Sequence, residues 1–249
     1  MRIGTWNVEY ATGAGKNARR RDVLQQHNCD VWVLTETHDE LAPSVGHTAV
    51  HSDQRPTGRL GGRWTSIWTR YPVLQQLEVV DPRRTVAAVV EAPKGPLIVY
   101  GTVMPWHDDR GDAEPGTPVR NWSEMHRVVV QQGQEWAALR QQYPEADLCV
   151  AGDLNMNLGG KHYYGTAQSR QLLREAMAAC GLFCATETER VPAGKLAHPP
   201  IDHVLLPAAW EPHAAAIAAW EGKTGQEPRL SDHSGLAVEV DLMAAPSPF

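Results

Sequence analysis

The sequence has 249 residues, of which 42% are hydrophobic and 21% charged, a composition typical of a folded globular domain and not of a disordered or collagen-like chain. Its net charge of −6 provides no general positive field, so any polyanion must be bound locally. No apolar run is long enough to cross a membrane, residues 1–10 lack signal-peptide features, and the four scattered cysteines do not suggest a disulfide framework. We therefore expect a cytoplasmic, monomeric protein with a single domain over residues 1–249.

The first half of the chain is predicted to alternate between strands and loops. Residues 2–8 have the pattern of a strand, residues 16–27 that of a short amphipathic helix, and residues 30–35 that of a buried strand. Residues 39–63 are predicted to be a loop because they contain prolines and glycines, and this loop carries Arg55, Arg59 and Arg63. Three or four closely spaced strands follow, with turn signals typical of antiparallel hairpins, at residues 64–69, 74–80, 85–91 and 97–104.

The second half adds two longer helices to the predicted strands. Residues 105–118 form a second irregular loop, and residues 119–143 have the pattern of a long helix. A short buried strand is predicted at residues 148–151 and a helix at residues 166–180. The last predicted strands are residues 201–206, 214–220 and 236–242. This order indicates an α/β fold of two packed sheets with helices outside, and no linker is long enough to divide it.

Polar side chains of a consistent type interrupt the ends of the predicted strands. They are carboxylates, carboxamides and one histidine: Asn7, Glu36, Asp153, Asn155, Asp202, Asp232 and His233. Ligands gather at strand ends because the loops of a sheet converge there. If the strand before Asp153 continues, Asp153 and Asn155 project to the same face. Hard oxygen donors with a histidine beside them indicate a site for a divalent cation.

The motifs around these residues resemble a known family. In order and spacing, WNVEY, LTETHDE, GDLNMN, IDHVLL and SDHSGLAVEV are similar to motifs of the endonuclease/exonuclease/phosphatase superfamily, and GGRWTSIWTRYPV is similar to that family's strand and Ser-Arg-x-Pro turn. The superfamily includes deoxyribonuclease I, exonuclease III, abasic-site endonucleases, inositol polyphosphate 5-phosphatases and neutral sphingomyelinases. The resemblance implies a four-layer α/β/β/α sandwich of two mixed, largely antiparallel sheets, and phosphoester hydrolysis with Mg²⁺ or Mn²⁺.

The resemblance also implies a role for each motif residue. Glu36 would be the principal metal carboxylate, Asn7 would help to hold the metal or the phosphate, and Asp232 would be a further metal ligand. Asp153 would orient and deprotonate the attacking water, while Asn155 would donate to a phosphate oxygen. His233 would face the scissile phosphate, and Asp202 would hydrogen-bond to that histidine.

The sequence departs from the family pattern at two places. Many members carry a Tyr or His at the end of the strand that corresponds to residues 99–104, where this chain has Thr102 or Val103, so we consider Trp106 and His107 as replacements. The segment HPPID also lacks the aromatic residue of abasic-site enzymes. Further candidate substrate-binding residues are Arg63, with Arg55, Arg59 and Arg110 as other local cations, and Lys161 and Tyr163, which follow the GDLNMN motif.

Three interpretations of function remain open. The first is a nuclease that hydrolyses a nucleic-acid phosphodiester by in-line attack of water. The second is a small-molecule or lipid phosphoesterase, which the acidic net charge and the acidic segment 108–114 favour because they would repel a duplex. The third is a noncatalytic binding module, which the intact set of Glu36, Asp153, Asn155, Asp202 and His233 disfavours.

Overall fold

The computed structural model describes residues 1–55, 60–114, 116–223 and 229–242. In chain order, the strands are β1 (Arg2–Asn7), β2 (Val31–His38), β3 (Thr48–His51), β4 (Gly62–Thr69), β5 (Val73–Leu77), β6 (Thr85–Ala92), β7 (Gly95–Val103), β8 (Asp147–Asp153), β9 (Leu182–Cys184), β10 (Asp202–Pro207), β11 (Ala214–Trp220) and β12 (Gly235–Val240). The α-helices are α1 (Ala14–His27), α2 (Ser123–Gln142) and α3 (Ala167–Ala179), and Glu9–Ala11 and Ala208–His213 form short 3₁₀ helices.

The strands form two six-stranded sheets of similar design. The first has the order β11-β12-β1-β2-β4-β3 and the second the order β5-β6-β7-β8-β10-β9. In each sheet one central pair is parallel, β1 with β2 and β7 with β8, and the remaining pairs are antiparallel. A helix connects each parallel pair because parallel strands need a crossover connection. The predicted mixed and largely antiparallel sheets are thus confirmed.

Three apolar clusters divide the fold into four layers. The cluster between the sheets includes Ile3, Val33, Ile67, Val99 and Val204. On the other face of the first sheet, residues such as Trp6, Trp32 and Leu34 pack with Leu24 of α1. The other face of the second sheet packs Tyr100, Leu148 and Val150 with α2 and α3 through residues such as Val129, Trp136, Leu173 and Met177. Because both faces of each sheet are covered, the central strands are apolar along nearly their whole length. The predicted α/β/β/α sandwich is confirmed.

Several element boundaries differ from the prediction. Strand β3 lies inside the segment 39–63 that was predicted to be a loop, and it pairs with β4. Strand β9, three residues long, was not predicted and pairs with β10. Helix α2 begins at Ser123 and not at residue 119, because Trp122 before it adopts a left-handed φ of 67°. No helix of the described residues is long and apolar enough to span a membrane.

One edge of the sandwich brings together the ends of strands from both sheets. Strand β1 ends at Asn7 and strand β8 ends at Asp153, while strand β10 begins at Asp202. In the antiparallel β8–β10 ladder Asp202 lies directly opposite Asp153. Glu36 lies near the end of β2, beside β1 in the first sheet. The polar residues of the sequence motifs therefore meet where the two sheets open to solvent.

Candidate active site

Asn7 joins the two sheets through three hydrogen bonds. Its backbone N–H donates to Oδ1 of Asp202 at 3.1 Å. Its side-chain Nδ2 donates to Oε1 of Glu36 and to Oδ2 of Asp153, each at 3.1 Å. Its Oδ1 accepts the backbone N–H of Glu9 at 3.0 Å, which fixes the amide in this orientation. One buried amide group thus holds the carboxylates of Glu36 and Asp153 beside each other.

His233 lies between two buried carboxylates. Its Nδ1 is 2.7 Å from Oδ2 of Asp202, and its Nε2 is 3.8 Å from Oδ2 of Asp153. The segment that carries His233 is fixed because Trp6 Nε1 donates to the His233 carbonyl at 3.1 Å, and the His233 N–H donates to the hydroxyl of Ser231 at 3.0 Å. The imidazole therefore has one defined orientation, with Nε2 directed at Asp153.

The backbone before Asp153 leaves no space for a side chain. Gly152 has a φ of +136°, and a Cβ built on it would lie 2.0 Å from the carbonyl oxygen of Thr102 on the neighbouring strand β7. Only glycine fits such a conformation and such a close approach. The Gly-Asp pair of the GDLNMN motif therefore positions Asp153 through the backbone.

Asn155 does not continue the strand, so the condition under which strand alternation would project it to the same face as Asp153 is not met. Strand β8 ends at Asp153, and Asn155 has a left-handed φ of 49°. Its backbone N–H donates to Oδ1 of Asp153 at 3.0 Å and its Nδ2 donates to the carbonyl of Met104 at 2.8 Å. A tight turn, and not strand geometry, brings the two residues together.

Glu36 also adopts an unusual backbone conformation. Its φ of 46° lies in the left-handed region, and it interrupts the pairing of β2 with β4 between the Thr35–Thr65 and Thr37–Arg63 pairs. Non-glycine residues rarely adopt this conformation, and such residues cluster at functional sites. The side chain is half-buried at the open edge of the sheets.

Burial governs the electrostatics of the site. It raises the pKa of Asp153 to about 7, and the neighbouring charge of Asp202 adds to the effect. Burial also raises the pKa of Asp202 and of Glu36 above their usual range. For His233, burial alone would lower the pKa, but the carboxylates of Asp202 and Asp153 outweigh it and raise the pKa to about 10. The site therefore contains an imidazolium beside three carboxyl groups whose pKa values are raised, and the guanidinium of Arg55 also acts on Glu36.

The donor atoms of the site suit a hard divalent cation. A ligand atom from each of Asp153, Asp202 and His233 lies within 4.8 Å of the other two. As an imidazolium, His233 has no free lone pair, and each oxygen of Asp202 and of Asp153 already accepts one hydrogen bond. The carboxylate of Glu36, whose Oε1 accepts from the Asn7 amide, is the kind of donor that Mg²⁺ and Mn²⁺ prefer.

The other predicted ligand and substrate residues lie further out. Asp232 is exposed and accepts no hydrogen bond from the described residues. Arg63 forms a two-pronged ion pair with Asp39 at 2.8 and 2.9 Å and also donates to the carbonyl of Ser52. Because these contacts occupy its guanidinium, Arg63 is poorly suited to the predicted role in substrate binding. Arg59 lies outside the described residues.

The candidates on the long loops are exposed to different degrees. His107 is exposed, and its Nε2 contacts Nδ2 of Asn121 at 2.8 Å and not the carboxylates. Trp106 is half-buried and packs against Trp64 at 5.8 Å between ring centroids. Lys161 and Tyr163 are exposed, and the ring of Tyr163 stacks on that of His198 at 4.7 Å. Of these side chains, Trp106 is the least exposed.

Two aromatic residues and one arginine beside Glu36 were not singled out as a group by the sequence. The guanidinium carbon of Arg55 lies 4.3 Å from the ring centroid of Tyr10 and 4.0 Å from that of Trp64. Tyr10 is close to Glu36, whose charge contributes with burial to a raised pKa of the Tyr10 hydroxyl. The three residues come from separate segments of the chain. The signals in the sequence were separate: Arg55 belongs to a cationic loop, Tyr10 ends the WNVEY motif and Trp64 lies in GGRWTSIWTRYPV.

Comparison with known proteins agrees with this fold. The model of the endonuclease/exonuclease/phosphatase family matches residues 4–233. A 3′-5′ exonuclease from Neisseria meningitidis has a similar structure, with a TM-score of 0.68 and 17% sequence identity over 97% of this chain and 100% of its own. An AP endonuclease from Archaeoglobus fulgidus gives a TM-score of 0.64 and 14% identity over 97% and 100% of the two chains.

A phosphatase is equally similar in structure. A mannosyl-6-phosphatase from Bacteroides thetaiotaomicron gives a TM-score of 0.67 and 12% identity over 96% of this chain and 99% of its own. At these identities the similarities establish the fold alone. None of the curated proteins matches the sequence significantly.

Proposed function

The chain belongs to the endonuclease/exonuclease/phosphatase family, and we propose that it is a divalent-metal-dependent phosphodiesterase that acts as a nuclease. Members of this family are hydrolases that act on phosphoester bonds. The observation that carries the proposal is the hydrogen-bonded arrangement of Glu36, Asn7 and Asp153 beside the His233–Asp202 pair. It combines oxygen donors for a cation, a buried carboxylate and an oriented imidazolium at one open edge.

Asp153 is the residue that we assign to the attacking water. Its carboxylate is held by Asn155 and Asn7, so a water that donates a hydrogen bond to it has a fixed position. A positioned carboxylate accelerates attack because it accepts the proton that the water loses as the new P–O bond forms. Asn155 retains a second amide hydrogen that can donate to a phosphate oxygen.

His233 is the residue that we assign to the phosphate. The Asp202 carboxylate accepts the hydrogen bond from Nδ1 and stabilises the imidazolium, which leaves Nε2–H to donate to a phosphate oxygen. Negative charge grows on those oxygens as the water attacks, so a fixed cationic donor stabilises the transition state more than the ground state. The pair therefore acts as one unit, with Asp202 as the positioning residue.

Glu36 and Asp232 are the residues that we expect to hold Mg²⁺ or Mn²⁺, with Asn7 beside them. When bound, such a cation neutralises phosphate charge and stabilises the leaving oxygen. In the orientation described, Asn7 directs its Nδ2 at the carboxylates, so its contribution is to hold Glu36 in place. The position of Asp232 beside His233 at an exposed turn leaves its carboxylate available for this role.

A small-molecule phosphoesterase is the second candidate. The exposed carboxylates of Asp108, Asp112 and Glu114 lie on the loop that follows β7, and they would repel the backbone of a duplex. The structural similarity to a phosphatase as well as to nucleases is in keeping with either class.

The test is a substrate panel with the metal controlled. The purified protein is freed of metal with EDTA and assayed on labelled single- and double-stranded DNA, RNA, bis(4-nitrophenyl) phosphate and a phosphoinositide, before and after addition of Mg²⁺ or Mn²⁺. We expect metal-dependent cleavage of an oligonucleotide and of the simple diester. Cleavage of the phosphoinositide alone would favour the second candidate, and activity on no substrate would contradict both.

A further inference from the structure

Arg55 packs in the corner between two aromatic rings next to the proposed metal carboxylate. Its guanidinium carbon lies 4.3 Å from the ring centroid of Tyr10 and 4.0 Å from that of Trp64, and the two rings are inclined to each other by 62°. Two cation–π contacts restrict the orientation of the guanidinium. The charge of Arg55 is therefore held in one place and not spread over many rotamers.

This cation is not neutralised by an ion pair with the described residues. Arg63 on the adjacent strand is paired with Asp39, and Arg84 is paired through two contacts with Asp109. By contrast, no carboxylate of the described residues lies within ion-pair distance of Arg55, and its Nε is buried without a hydrogen-bond partner among them. A guanidinium that is not paired with a carboxylate is available to an anionic ligand.

The rings form a row with the two arginines. Trp64 also packs against Trp106, at 5.8 Å between centroids, and the guanidinium of Arg84 lies 5.6 Å from the Trp106 ring. Tyr10 is at the open end of this row and is 44% exposed. Glu9, Tyr10 and Ala11 all have left-handed φ values. This backbone conformation is unfavourable for residues other than glycine, and here it places Tyr10 beside Arg55.

The position of the row separates it from the residues assigned to water and phosphate. Trp64 lies on β4, beside Glu36 in β2, on the side of β2 away from β1. Asp153 and Asp202 lie at the ends of β8 and β10 in the second sheet. Glu36 is close to both cations, since the charges of His233 and of Arg55 each lower its pKa. We assign to Arg55 a phosphate next to the one that His233 faces.

We propose that Arg55, packed against Tyr10 and Trp64, binds a phosphate of a single-stranded nucleic acid next to the phosphate that is cleaved. The inference rests on the proposed phosphodiesterase function and specifies its substrate class. The donor edge of a guanidinium matches the oxygens of a phosphate, and the aromatic row beside it is the kind of surface on which unpaired bases stack. A single strand suits the site better than a duplex because Arg55 is one local cation in a chain with a net charge of −6.

Binding without metal gives a test that does not depend on turnover. The salt dependence of the affinity for fluorescein-labelled oligothymidylate and oligouridylate is measured in EDTA by fluorescence anisotropy. Loss of one phosphate contact reduces the slope of log K against log[salt] by about 0.7 for a single strand. We therefore expect Arg55→Gln to lower the slope by this amount and Arg55→Lys, which retains the charge, to restore it.

Arg2→Gln is the matched control. The substitution removes one positive charge at the start of β1. Arg2 lies at the opposite end of this strand from Asn7 and pairs with Glu239 at 2.9 Å. We expect this variant to keep the wild-type slope. The proposal is overturned if Arg55→Gln keeps the wild-type slope, if Arg2→Gln lowers it equally, or if the wild-type protein binds duplex DNA more tightly than either single strand.

Turnover provides the second measurement. In Mg²⁺ or Mn²⁺, kcat/KM of Arg55→Gln is expected to fall roughly tenfold further on an oligonucleotide than on bis(4-nitrophenyl) phosphate, which has one phosphorus atom, and chiefly through KM. Equal losses on both substrates would overturn the inference while leaving the phosphodiesterase function intact. A wild-type protein that binds the oligonucleotides through Arg55 but hydrolyses neither substrate would contradict the proposed function and not the binding site.

Discussion

Asp202 bridges the two sheets, since its Oδ2 accepts a hydrogen bond from Nδ1 of His233 at 2.7 Å while its Oδ1 accepts the backbone N–H of Asn7 at 3.1 Å. Both oxygens of one buried carboxylate are thus used to fix the imidazole relative to the end of β1. This arrangement makes the orientation and charge of His233 depend on a residue that does not itself face the open edge.

Asp202→Asn is expected to lower kcat on bis(4-nitrophenyl) phosphate by about 10²- to 10⁴-fold with a smaller change in KM. The amide retains the shape of the carboxylate but cannot stabilise the imidazolium that donates from Nε2. Steady-state kinetics measure the effect, and Asp22→Asn, at an exposed position of α1, serves as the control. A kcat close to that of the wild type would show that the His233–Asp202 pair has no part in the reaction.

Glu36→Gln is expected to weaken Mn²⁺ binding by about tenfold or more, because an amide oxygen replaces a charged ligand. Titration followed by electron paramagnetic resonance reports free Mn²⁺ and does not require activity. Glu91→Gln removes an exposed carboxylate on β6 and should leave the affinity unchanged. Equal affinities of Glu36→Gln and the wild type would exclude Glu36 as a ligand.

Gly152→Ala is expected to lower the free energy of unfolding by more than about 2 kcal/mol, because the new Cβ would overlap the Thr102 carbonyl and the φ of +136° suits glycine alone. Urea unfolding measures the change. Gly15→Ala in helix α1 is a matched control, since a Cβ there meets no atom within 4 Å. The control should be as stable as the wild type or about 1 kcal/mol more stable. Similar behaviour of the two variants would contradict the backbone argument.

His203 is expected to make the protein less stable in mild acid. Its Nε2 faces the Met156 carbonyl at 3.0 Å and its Nδ1 contacts the Thr186 hydroxyl at 3.1 Å, and no carboxylate is hydrogen-bonded to the buried ring among the described residues. Burial lowers its pKa to about 4. Between the pKa of about 6.5 in the unfolded chain and about 4 in the folded chain, only the unfolded state binds the proton. Stability therefore falls as the pH decreases through this range.

Protonation of His203 in the unfolded chain alone lowers the free energy of unfolding by about 3 kcal/mol by pH 4. His203→Gln cannot bind a proton, so the difference in unfolding free energy between this variant and the wild type should change with pH over the same range. Urea unfolding at several pH values from 7 to about 4 measures it. A difference that is constant with pH would show that His203 is not a buried neutral imidazole.

The sequence allowed the main elements and the four-layer class to be predicted because both depend on long apolar runs, which report burial directly. The short strands β3 and β9 could not be predicted, since Thr48–His51 and Leu182–Cys184 are too short to show a period and form through pairing with distant strands. The order of five motifs likewise indicated which polar residues belong together.

Contacts between separate segments could not be predicted. Nothing local to Arg63 shows that Asp39 pairs with its guanidinium, and nothing local to Arg55 shows that Tyr10 and Trp64 pack against it. Both arginines lie in one cationic segment of the sequence, but in the fold Arg63 pairs with a carboxylate and Arg55 packs against aromatic rings. The turn at Asn155 was also missed, because its left-handed φ has no signature in alternation.

The proposed mechanism requires that Asp153 and the residues around it activate water for attack on phosphorus in the presence of a divalent cation. The decisive measurement is release of 4-nitrophenolate from bis(4-nitrophenyl) phosphate by metal-free protein to which Mg²⁺ or Mn²⁺ is returned, for the wild type, Asp153→Asn and Asp147→Asn. Asp147 begins β8 and Asp153 ends it, so the control changes the same group at the far end of the same strand. We predict metal-dependent release by the wild type and by Asp147→Asn, and a loss of at least about 10²-fold in Asp153→Asn. Release that needs no metal, or that is the same in Asp153→Asn as in the wild type, would contradict this mechanism.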